Sequence, residues 1–322
     1  MSVLVTGVAG FIGAEVAGAL LARGEAVVGV DNFSDQYDPV LKFARLKPLR
    51  ETKGFTFLEA DVAEREAMLG LAGKHGGLDR IVHLAAQSGV RQSMVDPYIY
   101  AQTNVMGHLV LLELARGLKD LKHFVYASAS SVYGANRKLP FAVADRVDHP
   151  VSLYAATKRA DELMTETYSH LYGLKATGLR YFTTYGPWGR PDMSPYIFAK
   201  AIHEGRPIEL AHLGVLKRDY SYIDDMVAGT LAVLDKPPAD AGHRVYNLGA
   251  ARSEDLVQVI ALLEKAFARK AIVELKPGEP GTLPETAADI ADTTREFGWT
   301  PRVAVEEGIP KFVEWFKAYN RL

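Results

Sequence analysis

The chain has 322 residues, no cysteine and a formal net charge of −2, since 37 Lys and Arg oppose 39 Asp and Glu. At roughly 150 residues per domain, this length predicts two domains or one large α/β unit. The near-neutral charge argues against nucleic acid as the main partner. The absence of cysteine excludes disulfides, thiolate metal sites and a cysteine nucleophile.

The N-terminal segment and the apolar runs give no sign of export or membrane insertion. Residues 1–7 lead directly into a patterned strand, without the basic flank of a signal peptide. In the sequence no apolar run reaches the roughly 20 residues that span a bilayer. We therefore expect a soluble, cytoplasmic protein without a membrane partner.

The first half of the chain alternates β-rich runs with helical patterns. Strands are predicted at 2–6, 26–31, 55–61, 80–85, 123–128 and 175–182. Helices are predicted at 13–23, 65–74, 105–118 and 152–172. Near-continuous apolar strands separated by helices are typical of a parallel sheet that is buried on both faces. With right-handed crossovers, this pattern predicts an α/β fold built on a doubly wound parallel Rossmann sheet.

The composition changes after residue 181. Pro and Gly cluster at 186–191 and again at 277–284, as in the loop-rich lobes that bind substrate beside a nucleotide-binding sheet. We predict a Rossmann domain over 1–180, to which segments near 211–248 return. A smaller, interleaved substrate-binding lobe is expected mainly over 181–322.

A glycine-rich loop follows the first predicted strand and opens a helix. Gly7 permits a tight turn, Gly10 lets the backbone approach a pyrophosphate, and Gly13 lets helix and strand pack closely. Asp31 ends the next strand, where a carboxylate accepts hydrogen bonds from an adenosine ribose. Its negative charge disfavours a 2′-phosphate. The segment therefore predicts a dinucleotide site that prefers NAD to NADP.

Tyr154 and Lys158 lie four residues apart on a predicted helix, so their side chains share a face. Such a pair arises by chance in a chain of this size, but beside a dinucleotide site it has a chemical meaning. A phenol is a poor base at neutral pH, and a nearby ammonium together with a nicotinamide cation lowers its pKa. Lys158 can also hold the nicotinamide ribose.

Together, these residues resemble the extended short-chain dehydrogenase/reductases, and more narrowly the nucleotide-sugar 4-epimerases that act on UDP-glucuronic acid. The resemblance covers nearly the whole chain. Its most specific segments are HLAAQSGVR at 83–91, VSLYAATK at 151–158, YGPWGRPDM at 185–193 and KRDYSYIDD at 217–225.

The resemblance implies bound NAD and a reaction that needs no second redox substrate. Tyr154 would take the proton of the sugar 4-hydroxyl while hydride passes to NAD, and a 4-keto sugar would receive it back on its other face. UDP-glucuronic acid would thus become UDP-galacturonic acid. Tyr154, Lys158 and Ser128 are the predicted catalytic residues. The predicted NAD-binding residues are Gly7, Gly10, Phe11, Ile12, Gly13, Asp31, Asn32, Asp61, Val62, Leu84, Ala85, Ala86, Gln87, Asn104, Tyr154, Lys158 and Tyr181.

An acidic sugar is implied by the sixth strand and the loop after it. Galactose-type relatives typically carry Asn after the Arg-Tyr-Phe of this strand, whereas this chain has Thr183. The resemblance implies that Thr183 and Arg190 bind the sugar carboxylate with hydroxyls from Ser130 and Ser131, and that Arg218 contacts the UDP phosphates. Because oxidation at carbon 4 creates a β-keto acid, Arg190 and Thr183 are expected to hold the carboxylate out of alignment with the carbonyl π system.

Ala129 departs from the family pattern. Relatives carry Ser or Thr there, and that hydroxyl bridges the sugar 4-hydroxyl to the catalytic Tyr. Either Ser128 or Ser130 takes over this role, or the chain is a slowed variant, because losing one relay group costs about 10²–10⁴ in rate. Thr282 is a second departure, since relatives often carry Asp there.

Three alternatives remain open at the level of sequence. A UDP-glucuronate decarboxylase shares the oxidation, but such relatives usually keep the Asn that Thr183 replaces and lack the Trp-Gly-Arg loop. A 4,6-dehydratase needs an Asp-Glu pair where Ala129 and Ser130 stand. A catalytically idle NAD-binding protein would fit Ala129. The histidines show no paired ligand spacing, so no metal site is expected. The resemblance also implies a homodimer, formed by helices near 105–118 and 152–172.

Overall fold

The computed structural model describes residues 1–75, 77–277 and 283–322, with only the backbone at His212 and Leu213. Its centre is a seven-stranded parallel sheet in the order β11-β6-β5-β4-β1-β2-β3. The strands of this sheet are β1 (Ser2–Thr6), β2 (Ala26–Asp31), β3 (Phe55–Glu59), β4 (Leu78–His83), β5 (His123–Ala129), β6 (Lys175–Tyr181) and β11 (Gly242–Leu248).

Short strands outside this sheet form two-stranded pairs. They are β7 (Thr183–Tyr185) with β10 (Tyr220–Tyr222), β8 (Pro207–Leu210) with β13 (Ile272–Leu275), and β9 (Lys217–Arg218) with β12 (Glu254–Asp255). The first two pairs are parallel and the third is antiparallel. Strand β7 follows β6 almost directly and contributes Thr183 and Thr184 to the wall of the cleft described below.

Helices cover both faces of the sheet and build the rest of the molecule. They are α1 (Phe11–Ala22), α2 (Val40–Arg50), α3 (Arg65–Leu69), α4 (Leu71–Lys74), α5 (Val90–Val95), α6 (Pro97–Tyr100), α7 (Gly107–Gly117), α8 (Leu153–Tyr172), α9 (Ser194–Glu204), α10 (Ile223–Leu234), α11 (Leu256–Phe267), α12 (Ala291–Phe297) and α13 (Val305–Asn320). A π-helix at Ala101–Met106 precedes α7, and 3₁₀ turns occur at Ser130–Tyr133 and Ala211–Gly214. Among the described residues, no helix combines the length and apolarity needed to cross a bilayer.

The predicted doubly wound sheet is confirmed. The predicted strands 2–6 and 26–31 match β1 and β2, and the others agree to within about two residues at each end. Their apolar side chains are buried because helices cover both faces; Val3, Leu4 and Val5 of β1 have no exposed surface. The predicted helix at 65–74 is broken at Gly70 into α3 and α4.

The strand order places a cleft at the carboxyl edge of the sheet. The chain runs from β1 outward through β2 and β3, then crosses back to β4 on the other side of β1. Helices leave β1 and β4 in opposite directions at this reversal, and open α/β sheets bind ligands in the resulting crevice. The loops after β1, β4, β5 and β6 meet there.

A second apolar core lies beyond the sheet. It joins β7, β8 and β10 to α9, α11 and α13, with Tyr185, Ile202, Tyr220, Leu263 and Phe312 among its buried members. The chain also returns from this region to the sheet, because β11 pairs with β6 along its whole length. The chain thus returns to the main sheet after several strands and helices of the second core.

Candidate active site

A cavity of about 410 Å³ opens at the carboxyl edge of the sheet. It brings together most of the residues that the sequence predicted. These are Gly7, Gly10, Phe11, Ile12, Gly13, Asp31, Asn32, Val62, Leu84, Ala85, Ala86, Gln87, Ser128, Ser130, Ser131, Tyr154, Lys158, Tyr181, Thr183 and Arg190. Asp61, Asn104 and Arg218 do not line it.

The glycine loop is shaped by close backbone contacts. Gly7 has φ +69°, and a Cβ there would lie 2.8 Å from the Ala85 nitrogen. A Cβ on Gly13 would overlap the Gly7 carbonyl oxygen. Helix α1 begins directly after Gly10, and within the described chain no side chain caps it and no acidic residue lies in its first turn. The helix end therefore presents backbone N–H groups and a positive dipole to an anion in the cavity.

Asp31 is fixed by the backbone around it. Its Oδ2 accepts a hydrogen bond from the Ala9 N–H at 3.0 Å, and its Oδ1 accepts one from the Phe33 N–H at 2.9 Å. Each carboxylate oxygen keeps a further lone pair for a ribose hydroxyl. Asn32 donates to Asp61 Oδ2 at 2.8 Å, so Asp61 supports a lining residue rather than lining the cavity itself.

Asn104 supports the cavity from behind. Its Oδ1 accepts from the Gln87 N–H at 2.8 Å, and its Nδ2 donates to the Gln87 carbonyl and to the Thr157 hydroxyl at 3.0 Å each. Asn104 lies in the π-helix, a form that often occurs at functional sites. It thereby ties the loop after β4 to helix α8.

Tyr154 and Lys158 face the cavity from the first turns of α8. Ser152 caps this helix by accepting from the Ala155 N–H at 3.2 Å. The Tyr154 ring packs edge-on against Tyr100, with 6.1 Å between centroids. Lys158 is buried, and its Nζ lies 3.0 Å from Asp161 Oδ2. The predicted pair is thus assembled, with an acidic neighbour that sequence reasoning missed.

The end of β5 carries the hydroxyls expected near the sugar. Ser128 lines the cavity, but its buried Oγ donates to Glu162 Oε1 at 2.7 Å, and Glu162 also binds Arg180 through both carboxylate oxygens at 2.8 and 2.9 Å. The Ser128 hydroxyl is therefore held in an interior network. In contrast, the buried Ser131 Oγ has no hydrogen-bond partner among the described residues. Buried polar atoms normally have partners, so this one favours a ligand at its side of the cavity.

Arg190 lines the cavity and already has protein partners. Its Nε donates to Asp192 Oδ1 at 3.0 Å, its Nη2 pairs with Asp192 Oδ2, and its Nη1 donates to the Ser88 hydroxyl. A guanidinium has five N–H donors, so N–H groups on Nη1 and Nη2 stay available to a second carboxylate. Thr183 lines the same cavity, and its backbone N–H donates to the Asp219 carbonyl.

Arg218 lies away from the cavity lining. Its Nη1 donates to the Lys217 carbonyl at 2.7 Å and to the Pro284 carbonyl at 3.3 Å. Burial lowers the pKa of its guanidinium from the ordinary value. Thr282, the second departure noted in the sequence, lies outside the described residues.

Lys42 is a lining residue that the sequence analysis missed. It is buried on α2, and its Nζ donates to the Ser34 carbonyl at 2.6 Å and hydroxyl at 2.9 Å. Burial lowers the pKa of its ammonium, which the nearby Asp31 carboxylate opposes. The apolar spacing of Leu41, Leu46 and Leu49 was the available signal for α2.

The chain is similar in sequence to known proteins along nearly all of its length. A family model described as the NAD dependent epimerase/dehydratase family matches residues 3–249. UDP-glucuronate 4-epimerase 4 of Arabidopsis thaliana is 43% identical over 333 residues, which cover 99% of this chain and 76% of that protein. The probable UDP-glucuronate 4-epimerase of Rhizobium meliloti (strain 1021) is 42% identical over 332 residues, which cover 98% of this chain and 97% of that protein.

The fold is also similar to a solved structure. UDP-glucuronic acid 4-epimerase from Bacillus cereus, in complex with UDP-glucuronic acid and NAD, matches with a TM-score of 0.93 and 31% identity. The match covers 99% of this chain and 100% of that one. With a family model that covers most of its length and relatives that match it almost end to end, the chain belongs to the NAD dependent epimerase/dehydratase family.

Proposed function

We propose that this protein is an NAD-dependent 4-epimerase that interconverts UDP-glucuronic acid and UDP-galacturonic acid. One observation carries the proposal: a single cavity is lined by the glycine loop, by the Tyr154–Lys158 pair and by Arg190 with Thr183. The first set suits a dinucleotide, the second suits proton transfer at a sugar hydroxyl, and the third suits a sugar carboxylate. The similarity to proteins named for this activity supports it.

The residues at the glycine loop fit NAD. The uncapped start of α1 would hold the pyrophosphate, and the spare lone pairs of Asp31 would accept from the adenosine ribose. Lys158 would hold the nicotinamide ribose. When bound, NAD supplies a reversible hydride acceptor, so the reaction needs no second redox substrate.

Tyr154 is the proposed proton acceptor. Its phenolate takes the proton of the sugar 4-hydroxyl as carbon 4 is oxidised and returns it when the ketone is reduced from the other face. Lys158, one helical turn further along α8, favours the phenolate by its charge. Rotation of the 4-keto sugar between the two half-reactions inverts carbon 4.

Arg190 and Thr183 are the proposed carboxylate site. The spare N–H groups of Nη1 and Nη2 would bind the sugar carboxylate, with Ser130 and the unpartnered Ser131 hydroxyl completing the site. Clamping the carboxylate keeps its bond to carbon 5 out of line with the C4 carbonyl π system. Loss of carbon dioxide from the β-keto acid is thereby suppressed, which separates the epimerase from a decarboxylase.

The remaining assignments also belong to this proposal. We assign 1–180, with the return near 211–248, to cofactor binding and 181–322 mainly to the UDP-sugar. Arg218 would reach the UDP phosphates by leaving its carbonyl partners. Because Ser128 Oγ donates to Glu162, Ser130 is the proposed substitute for the hydroxyl missing at Ala129.

We further propose a homodimer. Large apolar side chains are exposed on neighbouring helical segments, among them Val95, Tyr98, Met106, Leu163 and Tyr172, and Tyr98 is 84% exposed. Tyr98 and Met106 line one shallow groove. Exposed apolar side chains of this kind are typical of an interface, and a second copy of the chain is the occupant that we propose. Sedimentation of the native protein and of Tyr98→Asp tests this, with a monomeric native protein as the contradicting result.

The central experiment follows purified protein with UDP-glucuronic acid, without added NAD, by proton NMR. The proposal expects UDP-galacturonic acid, which also shows that the cofactor co-purifies. A UDP-pentose with carbon dioxide would identify a decarboxylase and contradict the role of Arg190. Binding without turnover would identify an idle relative, and the Ala129→Ser protein then decides whether one missing hydroxyl is the cause.

A further inference from the structure

An acidic side chain lies next to the lysine of the proposed proton-transfer pair. Asp161 is one turn further along α8, is 0% exposed, and places Oδ2 3.0 Å from Lys158 Nζ. Its Oδ1 is buried and has no hydrogen-bond partner among the described residues. An ionised carboxylate in the interior normally has both oxygens satisfied. This one is half-satisfied, and the lysine is its ion-pair partner.

Other titratable groups lie around Asp161 on the elements that pack against it. Glu162 is the next residue on α8, but Arg180 of β6 and Ser128 of β5 bind it. His108 of α7 shares Thr165 with Asp161, since His108 Nε2 contacts the Thr165 hydroxyl and that hydroxyl donates to the Asp161 carbonyl. The further titratable groups are His83 of β4, Tyr126 of β5 and His243 of β11.

Those neighbours do not neutralise Lys158. Burial holds the pKa of His83 near 3 and that of His108 well below its ordinary value, so both are neutral at physiological pH. Burial raises the pKa of Tyr126, which keeps its phenol protonated. Arg190 also acts electrostatically on Tyr154; although burial opposes it, pairing with Asp192 raises the pKa of its guanidinium, so its charge stays constant. Asp161 is therefore the partner of Lys158 whose ionisation changes the net charge beside that ammonium.

We propose that Asp161 is a positioning residue that controls how strongly Lys158 favours the Tyr154 phenolate. When its carboxylate is ionised, it holds the ammonium and compensates its charge. When it is protonated, the ammonium is uncompensated and free to act on Tyr154 and on a bound ribose. This inference rests on the proposed roles of Tyr154 and Lys158, and it assigns to Asp161 a role that the cavity lining does not reveal.

The direction of the effect follows from Coulomb's law. Removing the negative charge of Asp161 leaves the positive charge of Lys158 uncompensated, and this lowers the pKa of the Tyr154 phenol. For groups separated by about two turns of a helix, we expect a shift of about one unit. Burial raises the pKa of Asp161 to about 6, although Lys158 opposes the shift. The carboxylate is thus ionised above about pH 6 and neutral below it.

The test compares the native protein with Asp161→Asn, which keeps the shape and removes the charge. Tyr154 ionisation is measured without substrate, as the tyrosinate absorbance difference between each protein and its own Tyr154→Phe counterpart. We expect the Asp161→Asn titration, and the acidic limb of kcat/KM, to lie about one pH unit lower. The two kcat/KM profiles should converge below about pH 6, where native Asp161 is neutral.

The matched control is Glu166→Gln on the same helix. Glu166 is exposed and pairs with His243, so this change removes the same charge but leaves the lysine environment intact, and no shift is expected. Asp161→Ser is the second variant if Asp161→Asn does not fold.

Coincident Tyr154 titrations in folded native and Asp161-substituted proteins, or a shift to higher pH, would overturn the inference. Because that titration needs no substrate, a shift without epimerisation of UDP-glucuronic acid would contradict the proposed function alone.

Discussion

The two ends of the cavity are built in different ways. At the glycine loop the walls are backbone: Gly7 approaches Ala85, and the start of α1 offers uncapped N–H groups. At the far end the walls are charged side chains that already have partners, as in Arg190 with Asp192 and Lys158 with Asp161. The cofactor end thus depends on space and a fixed helix end, whereas the sugar end depends on exchangeable ion pairs.

The two ends are therefore sensitive to different kinds of substitution. A backbone site tolerates no added volume, because the interior is close-packed and its donors cannot move. A side-chain site tolerates volume better but depends on charge, because each ionic group leaves its partner uncompensated when it is removed. Substitutions that add one methyl group or remove one charge therefore separate the two ends.

The largest effect is expected from Tyr154→Phe, which removes the proposed proton acceptor. The ring and its contact with Tyr100 remain, so the fold and ligand binding should be preserved. We expect kcat to fall about 10³-fold, within the range for one general acid–base group. Tyr246→Phe, on a tyrosine that packs against Phe297 outside this cavity, is the control. Unchanged kcat in Tyr154→Phe would contradict the assignment.

Gly13→Ala tests the cofactor end by volume alone. Its Cβ would overlap the Gly7 carbonyl oxygen, so the loop and α1 must separate, and we expect a loss of about 3 kcal/mol in the free energy of unfolding with weaker NAD binding. Gly18→Ala on the same helix meets only ordinary contact, 3.7 Å from Leu49, and should stabilise by about 0.5–1 kcal/mol. Urea unfolding measures the free energy of unfolding of both variants. Equal effects of the two substitutions would contradict the steric constraint at Gly13.

Arg190→Ala tests the sugar end by charge. Losing charge-assisted hydrogen bonds to the sugar carboxylate should raise KM for UDP-glucuronic acid roughly 10–100-fold. Carbon dioxide should also appear among the products, because the β-keto acid is no longer clamped. Arg206→Ala breaks a comparable but exposed pair with Glu204 and should change neither quantity. An unchanged KM and no release of carbon dioxide in Arg190→Ala would contradict the proposal that Arg190 binds the sugar carboxylate.

The smallest effect concerns His83, which lies beneath the cofactor end and bonds the Thr6 hydroxyl at 2.7 Å. Burial lowers its pKa from 6.5 to about 3 in the folded protein. Below pH 6.5 the His83 imidazole binds a proton in the unfolded chain but not in the folded protein. The His83 contribution to the free energy of unfolding is therefore fully present above this pH and is lost as the pH falls. His83 should contribute about 1 kcal/mol of this loss over the first pH unit.

Urea unfolding of the native protein and of His83→Gln measures this slope. Asp161 and Asp219 change the free energy of unfolding in the opposite direction as the pH falls. Burial raises the pKa of both carboxyls to about 6, so the folded state binds their protons before the unfolded chain does. Both aspartates are present in the native protein and in His83→Gln, so their contributions cancel in the comparison. Identical slopes in the two proteins would contradict the role of His83.

Much of the fold was predictable because its signals are local. The strands β1 and β2 were predicted to the residue, since their apolar runs end at turn residues. Helix α2 was missed because Pro48 lies inside it, and Pro normally argues against a helix interior. The break at Gly70 and the π-helix were missed because periodicity does not register a local change of helical pitch.

The doubly wound sheet, the glycine loop and the i, i+4 spacing of Tyr154 and Lys158 follow from the amino-acid pattern, because each depends on short-range geometry. The polar contacts do not: Arg190 meets Asp192 and Ser88, Lys158 meets Asp161, and Ser128 meets Glu162 only in the folded chain. A carboxylate two or three residues from a cation is common in any chain. Burial and backbone direction decide whether the two form a pair, and both arise from the packing of distant segments.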